Sequence, residues 1–412
     1  MTRSEVPRFE AAVRSVLRPG STVALGDGVG QARTLQNGDA VGAVLSRLAR
    51  QVGNIRLALG WLPAPLDGID PGAFSEVVTL MPGWGSRSLL QCATARFVPT
   101  RLTAVAAVLS DVLRPDVLIT RMVERNGALQ FGTEVSWQRG LIDADVRVLA
   151  VVDTDSPAAD AGPPLDPAMV DVVGYSDDGP LQIPQKRPDP VHEALADNVL
   201  RFVSEGAQLQ YGPGPLGTAL LNRTTVPLRI DTGLLTDAVV DLDQRGMLIG
   251  TPSATYLLGT DTLYGWAEGK QILHGTEYTH DAARLSRGGP LVAVNTAIEI
   301  DAFGQVNVEG VGDKVVGGIG GHPDYCAAAA KIRGGLSIIA VPSQTNDRSP
   351  LVPQLSRPVS TPAYDIDLIV TESGHADLRG VFANAVLTLA HARPFPPAQL
   401  PTPSFPQPLR PA

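Results

Sequence analysis

Gln208-Leu-Gln-Tyr211, then Gly212-Pro-Gly214-Pro-Leu-Gly217, then Thr218 to Asn222, reads as a strand that ends in a glycine-rich loop and enters a helix. A helix over His192 to Glu205 precedes it. The first half of the chain holds a similar device, in which Thr22-Val-Ala-Leu25 runs into Gly26-Asp-Gly28-Val-Gly30 and then a helical segment. Further short β-branched runs, Ile55 to Leu59, Val117 to Thr120 and Val146 to Val152, alternate with helix-length segments such as Val41 to Arg50. Strands alternating with helices imply parallel sheets, so the expected fold is α/β with two domains. Proline-rich breaks at Asp153 to Pro167 and Pro184 to Pro190 put the boundaries at 1–185 and 186–392, with a proline-rich, extended tail at 393–412.

The 412 residues carry 33 basic and 42 acidic side chains, a net charge of -9. That balance lacks the cationic footprint of a nucleic-acid or anionic-lipid binder. No apolar run is long enough to span a membrane, and the first residues hold Glu5 and Glu10 rather than a secretory pattern. Cys92 and Cys326 are too few for a disulfide framework. A cytoplasmic protein is expected.

With 42 glycines and 35 prolines, the chain invests heavily in turns. The spacing of Gly212, Gly214 and Gly217 meets a dinucleotide fingerprint, but Pro213 and Pro215 remove N–H groups a pyrophosphate would need, and tight strand-to-helix turning explains the same glycines. The most unusual segment is Gly317-Gly-Ile-Gly-Gly-His-Pro-Asp-Tyr325. Four glycines in five residues forfeit conformational entropy, a cost that points to backbone approaching something closely. Gly320 and Gly321 could offer amides to a thioester carbonyl or an oxyanion.

Gly317 to Tyr325, with Gly334-Gly-Leu-Ser-Ile-Ile-Ala-Val-Pro-Ser343 downstream, resembles the acetyl-CoA hydrolase/transferase family, a branch of the class I CoA transferases. Asn295-Thr-Ala-Ile-Glu-Ile-Asp301, Gly304-Gln-Val-Asn307, Gly206 to Gly212, Gly259 to Tyr264 and Val370-Thr-Glu-Ser-Gly-His-Ala-Asp-Leu-Arg-Gly380 agree with it in order. The resemblance implies two α/β domains with the active site in the cleft between them. It also implies acyl-CoA and a small carboxylate acceptor as substrates, no permanently bound cofactor, and a homodimer or homotetramer. Residues implied to hold CoA are Gly212, Gly214, Gly217, Gly318, Gly320, Gly321, Asn295 and Asp324.

In the family a glutamate attacks the thioester, giving an anhydride and then an enzyme-bound CoA thioester. The corresponding run here is Ile230-Asp-Thr-Gly-Leu-Leu-Thr-Asp237, which puts Gly233 at the glutamate position. A glycine cannot form the anhydride. Three readings stay open: a substitute carboxylate (Asp231, Asp237, Glu277, or Glu134 of the other half), activation of water or of a substrate carboxylate by His322 or an acid, and binding without catalysis. His274, Glu277 and His280 lie close in sequence, but H-x-x-E-x-x-H matches no metal-ligand pattern, so no metal is expected. Cys326 reads as a small packed residue.

Overall fold

In the computed structural model, residues 9–153, 156–287, 289–345 and 348–379 are described; the proline-rich segment 393–412 and Gly380 lie outside them. The β-branched runs of the first half form β1 (Thr22–Leu25), β2 (Arg56–Leu59), β3 (Glu76–Thr79), β4 (Ala95–Phe97), β5 (Val117–Arg125), β6 (Ala128–Gln130), β7 (Arg147–Asp153) and β8 (Val170–Ser176). They order β4-β3-β2-β1-β5-β7-β8, each neighbour parallel, with β6 folded back antiparallel on β5. Every residue of β1 is buried, because helices cover both faces of a parallel sheet and no position is left for a polar, solvent-facing side chain.

The second half continues with β9 (Gln208–Tyr211) and β10 (Arg229–Ile230), then the short pair β11 (Leu234–Leu235) and β12 (Tyr256–Leu257), then β13 (Leu291–Asn295). Two hairpins follow, β14 (Glu299–Ile300) with β15 (Val306–Asn307) and β16 (Gly310–Val311) with β17 (Lys314–Val315). β18 (Leu336–Ala340), β19 (Leu368–Thr371) and β20 (Gly374–Asp377) complete a sheet of order β10-β9-β13-β18-β19-β20, parallel except for its last step. The protein is therefore α/β with two largely parallel sheets, as the alternation predicts.

Local readings differ at the edges. The helix expected directly after Gly30 starts only at Val41, because residues 31–40 form a loop closed by a bridge between Thr34 and Ala40. The helix expected over His192 to Glu205 spans Pro190–Leu200; Asp189 caps its first amides, and the chain then turns through Phe202 and Val203.

Residues 156–167 of the proline-rich stretch are not a loose connector. Ala158, Ala159 and Ala161 are buried, the Ala158 amide donates to Glu268 at 2.6 Å, and the Asp160 amide donates to the Lys270 carbonyl at 2.9 Å. Contacts of this kind tie the halves together. The Leu257 amide donates to the Thr133 carbonyl at 2.8 Å and the Val135 amide to the Thr255 carbonyl at 3.0 Å. One apolar cluster accordingly runs from Leu118 and Val148 of the first sheet, through Trp137 and Tyr256, to Leu209 and Ala340 of the second. Among the described residues no helix is long and apolar enough to cross a membrane.

Candidate active site

A cavity of about 660 Å³ opens where the carboxyl ends of the two sheets face each other. Trp61 follows β2, Met81 follows β3, Gly212 follows β9, Gly233 lies beyond β10, and Asn295 ends β13; all of them line it. Gly214 starts the helix Pro215–Arg223 and Gly321 starts the helix His322–Lys331, so two helix N-termini border the same space. Pro184 and Lys186, from the segment expected to be a mere connector, also line it.

The glycines divide by what a side chain would meet. Gly320 (φ 60°) and Gly214 (φ 112°) adopt backbone conformations that disfavour any Cβ. A Cβ at Gly318 would fall 2.9 Å from the Met81 Cα, so this loop is glycine-rich partly because it lies flat on the first half. The Leu102 amide fixes it there by donating to the Gly320 carbonyl at 2.9 Å. A Cβ at Gly321 would overlap the His280 imidazole. Gly217 sits away from the cavity and lets its helix press on the Gly212 carbonyl. In the first half, Gly28 and Gly30 wrap round Glu134, whose Oε2 accepts from the Gly30 amide at 3.0 Å.

None of the carboxylates expected as candidates reaches the cavity, and among the described residues no Asp or Glu side chain lines it. Asp231 is paired with Arg284 through two bonds of 2.6 and 2.8 Å and accepts from Gln208 at 2.9 Å. Asp237 accepts from the Thr260 amide and hydroxyl, both at 3.0 Å, and from the Leu263 amide at 3.2 Å, which anchors the start of the helix Asp261–Ala267. Glu277 is exposed, folds against Gly275 and does not line the cavity; partial desolvation of its carboxyl raises it above the usual carboxylate range. Glu134 is buried, and desolvation outweighs the neighbouring Arg121 to push it up to about 7. Asp324 accepts from the Thr103 hydroxyl at 2.8 Å, tying the helix His322–Lys331 to the first half, and burial raises it to about 6. Asn295 does line the cavity, held by a reciprocal amide pair with Gln210 at 3.0 and 3.2 Å. Cys326 is buried and pushed up to about 12, a thiol rather than a thiolate.

His322 lines the cavity with both ring nitrogens engaged. Nε2 lies 3.0 Å from the Thr296 carbonyl, which can only accept, so Nε2 donates and Nδ1 accepts from the Thr361 hydroxyl at 2.7 Å. Burial lowers this histidine to about 4. No lone pair is left for a substrate proton.

His280, read from the sequence only as a failed metal ligand, is a cavity residue that spacing could not reveal. It is 2% exposed and packs against Tyr325 with ring centroids 4.7 Å apart. The Thr279 hydroxyl oxygen lies 3.2 Å from the Gly275 carbonyl and 2.8 Å from His280 Nδ1; donation of its one proton to the carbonyl makes Nδ1–H the donor of the shorter contact. Nε2 then carries the lone pair, 3.2 Å from where a Cβ of Gly233 would stand. Burial first and Arg284 second push His280 down to about 3.

A second feature invisible to spacing sits behind the wall. Asp27, at the end of β1, gathers the Trp137 indole N–H and the Tyr256 hydroxyl, both at 2.8 Å, with the Trp61 amide at 3.2 Å and the Ser136 hydroxyl at 3.3 Å. All four donors meet Oδ2, while Oδ1 has no partner. Desolvation therefore prevails and raises Asp27 to about 6. Tyr256 stands edge-on to Trp61 at 5.3 Å, and both line the cavity. Among the described residues no group of three or more His, Cys, Asp or Glu side chains could hold a metal.

The fold has counterparts of known structure. Crystalline RipA from Yersinia pestis superposes with a TM-score of 0.83 at 21% identity, covering 94% of this chain and 95% of that one. The 4-hydroxybutyrate CoA-transferase of Porphyromonas gingivalis gives 0.73 at 18%, over 95% and 94%. The chain thus has the α/β fold shared by CoA-transferases and RipA. Residues 259–393 match the acetyl-CoA hydrolase/transferase C-terminal domain, and a 4-hydroxybutyrate coenzyme A transferase of Clostridium kluyveri is 24% identical over 337 residues, 76% of this chain and 79% of that protein. The chain is thus similar to the acetyl-CoA hydrolase/transferase family through residues 259–393 and to CoA-transferases over most of its length.

Proposed function

We propose that the protein binds an acyl-CoA thioester in the cavity between its sheets and cleaves or transfers the acyl group there. The observation that carries this reading is the convergence of both second-half glycine loops, each opening a helix, on one cavity in a chain with this family match. In this reading the thioester carbonyl lies against the Gly320–Gly321 segment, where helix-start dipoles favour developing negative charge. The acyl group then rests among Trp61, Met81, Leu102 and Leu258, which give one wall an apolar character. Gly212 and Gly214 on the other side approach the CoA moiety, with Asn295 between the loops. Gly233 takes the position of the family glutamate, and a wall without carboxylates argues against a substitute Asp or Glu nucleophile.

The test is to incubate the purified chain with acetyl-CoA, butyryl-CoA and succinyl-CoA, with and without acetate or succinate, following free CoA and new thioesters. Loss of the starting thioester is expected with at least one donor. CoA binding without turnover would leave a non-catalytic acyl-CoA binder, the reading an empty catalytic position also permits. Neither binding nor turnover would reject the assignment.

A further inference from the structure

We propose that His280 is the catalytic base and acid of the cavity, and that the reaction it supports is hydrolysis by water. The inference rests on the acyl-CoA reading of the site. Among the described residues six titratable side chains line the cavity, and the geometry separates them. Lys186 is exposed, and the Tyr211 hydroxyl accepts from the Thr236 amide at 3.4 Å. His322 has donated one nitrogen and accepted at the other. The Tyr256 hydroxyl is committed to Asp27, and the Tyr325 hydroxyl donates to the Thr279 carbonyl at 3.0 Å. Of the two histidines only His280 keeps an unshared basic lone pair in the wall, on Nε2, in the tautomer that sets the Nδ1 proton against Thr279.

The two glycines nearest that nitrogen are what keep it reachable. A side chain at Gly321 would occupy the imidazole's own place, and one at Gly233 would begin 3.2 Å from Nε2 and cover it. Glycine at 321 makes room for the ring itself, and glycine at 233 leaves the cavity side of Nε2 uncovered, beside the Gly320–Gly321 segment proposed to hold the carbonyl. Burial and Arg284 hold the ring neutral, which makes Nε2 a weak base toward water and the imidazolium formed on it a strong acid toward the departing sulfur. Arg284 is itself neutralised by Asp231, which gives that buried ion pair a role behind the histidine.

The step balances without another reactant. A water O–H proton passes to Nε2 as the water oxygen bonds to the acyl carbon. The C–S bond then breaks, its electron pair leaves on sulfur, and the Nε2 proton moves to that sulfur. The products are a carboxylic acid and CoA thiol. Because the enzyme forms no covalent intermediate, an added carboxylate is not required.

The experiment uses the full chain with acetyl-CoA, butyryl-CoA and octanoyl-CoA in ¹⁸O-labelled water, scoring thiol release, label in the acid and CoA binding by calorimetry. Expected are release unaffected by acetate or succinate, label in the acid, and a kcat about 100-fold lower in His280→Gln and His280→Asn with CoA affinity within about threefold of the parent. The ¹⁵N shifts of the parent protein, which need no variant to fold, should show the Nδ1–H tautomer. Variants within about tenfold of the parent kcat, an Nε2–H tautomer, or release only with an added carboxylate would overturn the role of His280. So would CoA binding without turnover, which leaves the thioester-binding reading standing. A folded parent that binds no CoA overturns both.

Discussion

Gly233 and His280 face each other at the cavity wall, and the space between them sets what a substitution can do. Gly233 has no left-handed backbone, so a side chain there strains nothing, and its Cβ would need His280 to yield by a few tenths of an ångström. In Gly233→Glu the new carboxylate faces Nε2, while Arg284 opposes it from behind and Tyr325 stays uncharged. The nearer charge favours imidazolium, so the His280 pKa should rise from about 3 in an NMR titration while hydrolysis falls. If the rest of the site still positions CoA, borohydride should trap an enzyme-bound thioester; an unchanged titration would show that the carboxylate does not reach the ring. Asp27 gives a stability prediction of defined sign. Its folded value of about 6 lies above the ordinary 3.8, so the folded state keeps a proton that the unfolded chain releases. The resulting stabilisation, on the order of 3 kcal/mol, is full below about pH 4 and lost as pH rises through 6. The Tm advantage of the parent over Asp27→Asn should therefore shrink between pH 5 and pH 8, and a constant difference would rule this titration out.

At the scale of elements, carboxylates that looked catalytic in sequence serve as structural anchors. Asp237 holds three donors at the start of the helix Asp261–Ala267, which packs through Leu263 and Tyr264 into the shared core. Asp237→Ala should lower stability by about 1–2 kcal/mol, read as a drop in the urea midpoint at unchanged slope. A midpoint equal to the parent's would deny the anchor. The glycine loops show the same economy. Gly26 to Gly30 resembles a ligand loop in sequence, yet its amides bond within the protein: Gly26 to Ile119, Gly28 to Trp61 and Gly30 to Glu134. Gly212 to Gly214 and Gly317 to Gly321 instead border open space.

For the whole molecule, the continuous apolar cluster joining the sheets predicts coupled unfolding. Tryptophan fluorescence, reporting Trp61, Trp84 and Trp137 of the first half and Trp266 of the second, should give the same denaturation midpoint as far-ultraviolet circular dichroism; two separated transitions would show independent halves. The same interlocking explains what could be read in advance. Thr22 to Leu25 and Gln208 to Tyr211, each followed by glycines, determined α/β strands and parallel sheets, because a strand covered on both faces must be apolar along its length and its turn into a helix needs glycine. The motifs from Gly206 to Gly380 likewise carried the resemblance to the acetyl-CoA hydrolase/transferase family. Which polar groups face the cavity was decided only by tertiary structure. Asp231, Asp237 and Glu277 carry the right chemistry near the right place in sequence, but hydrogen bonds hold the two aspartates elsewhere and Glu277 folds against Gly275 outside the cavity. His280 lies 47 residues beyond Gly233 and reaches it because the helix Thr276–Thr279 packs against the Gly321 turn. The orientation of a side chain and the proton it carries depend on partners that folding brings from elsewhere in the chain, and spacing along the chain does not encode them.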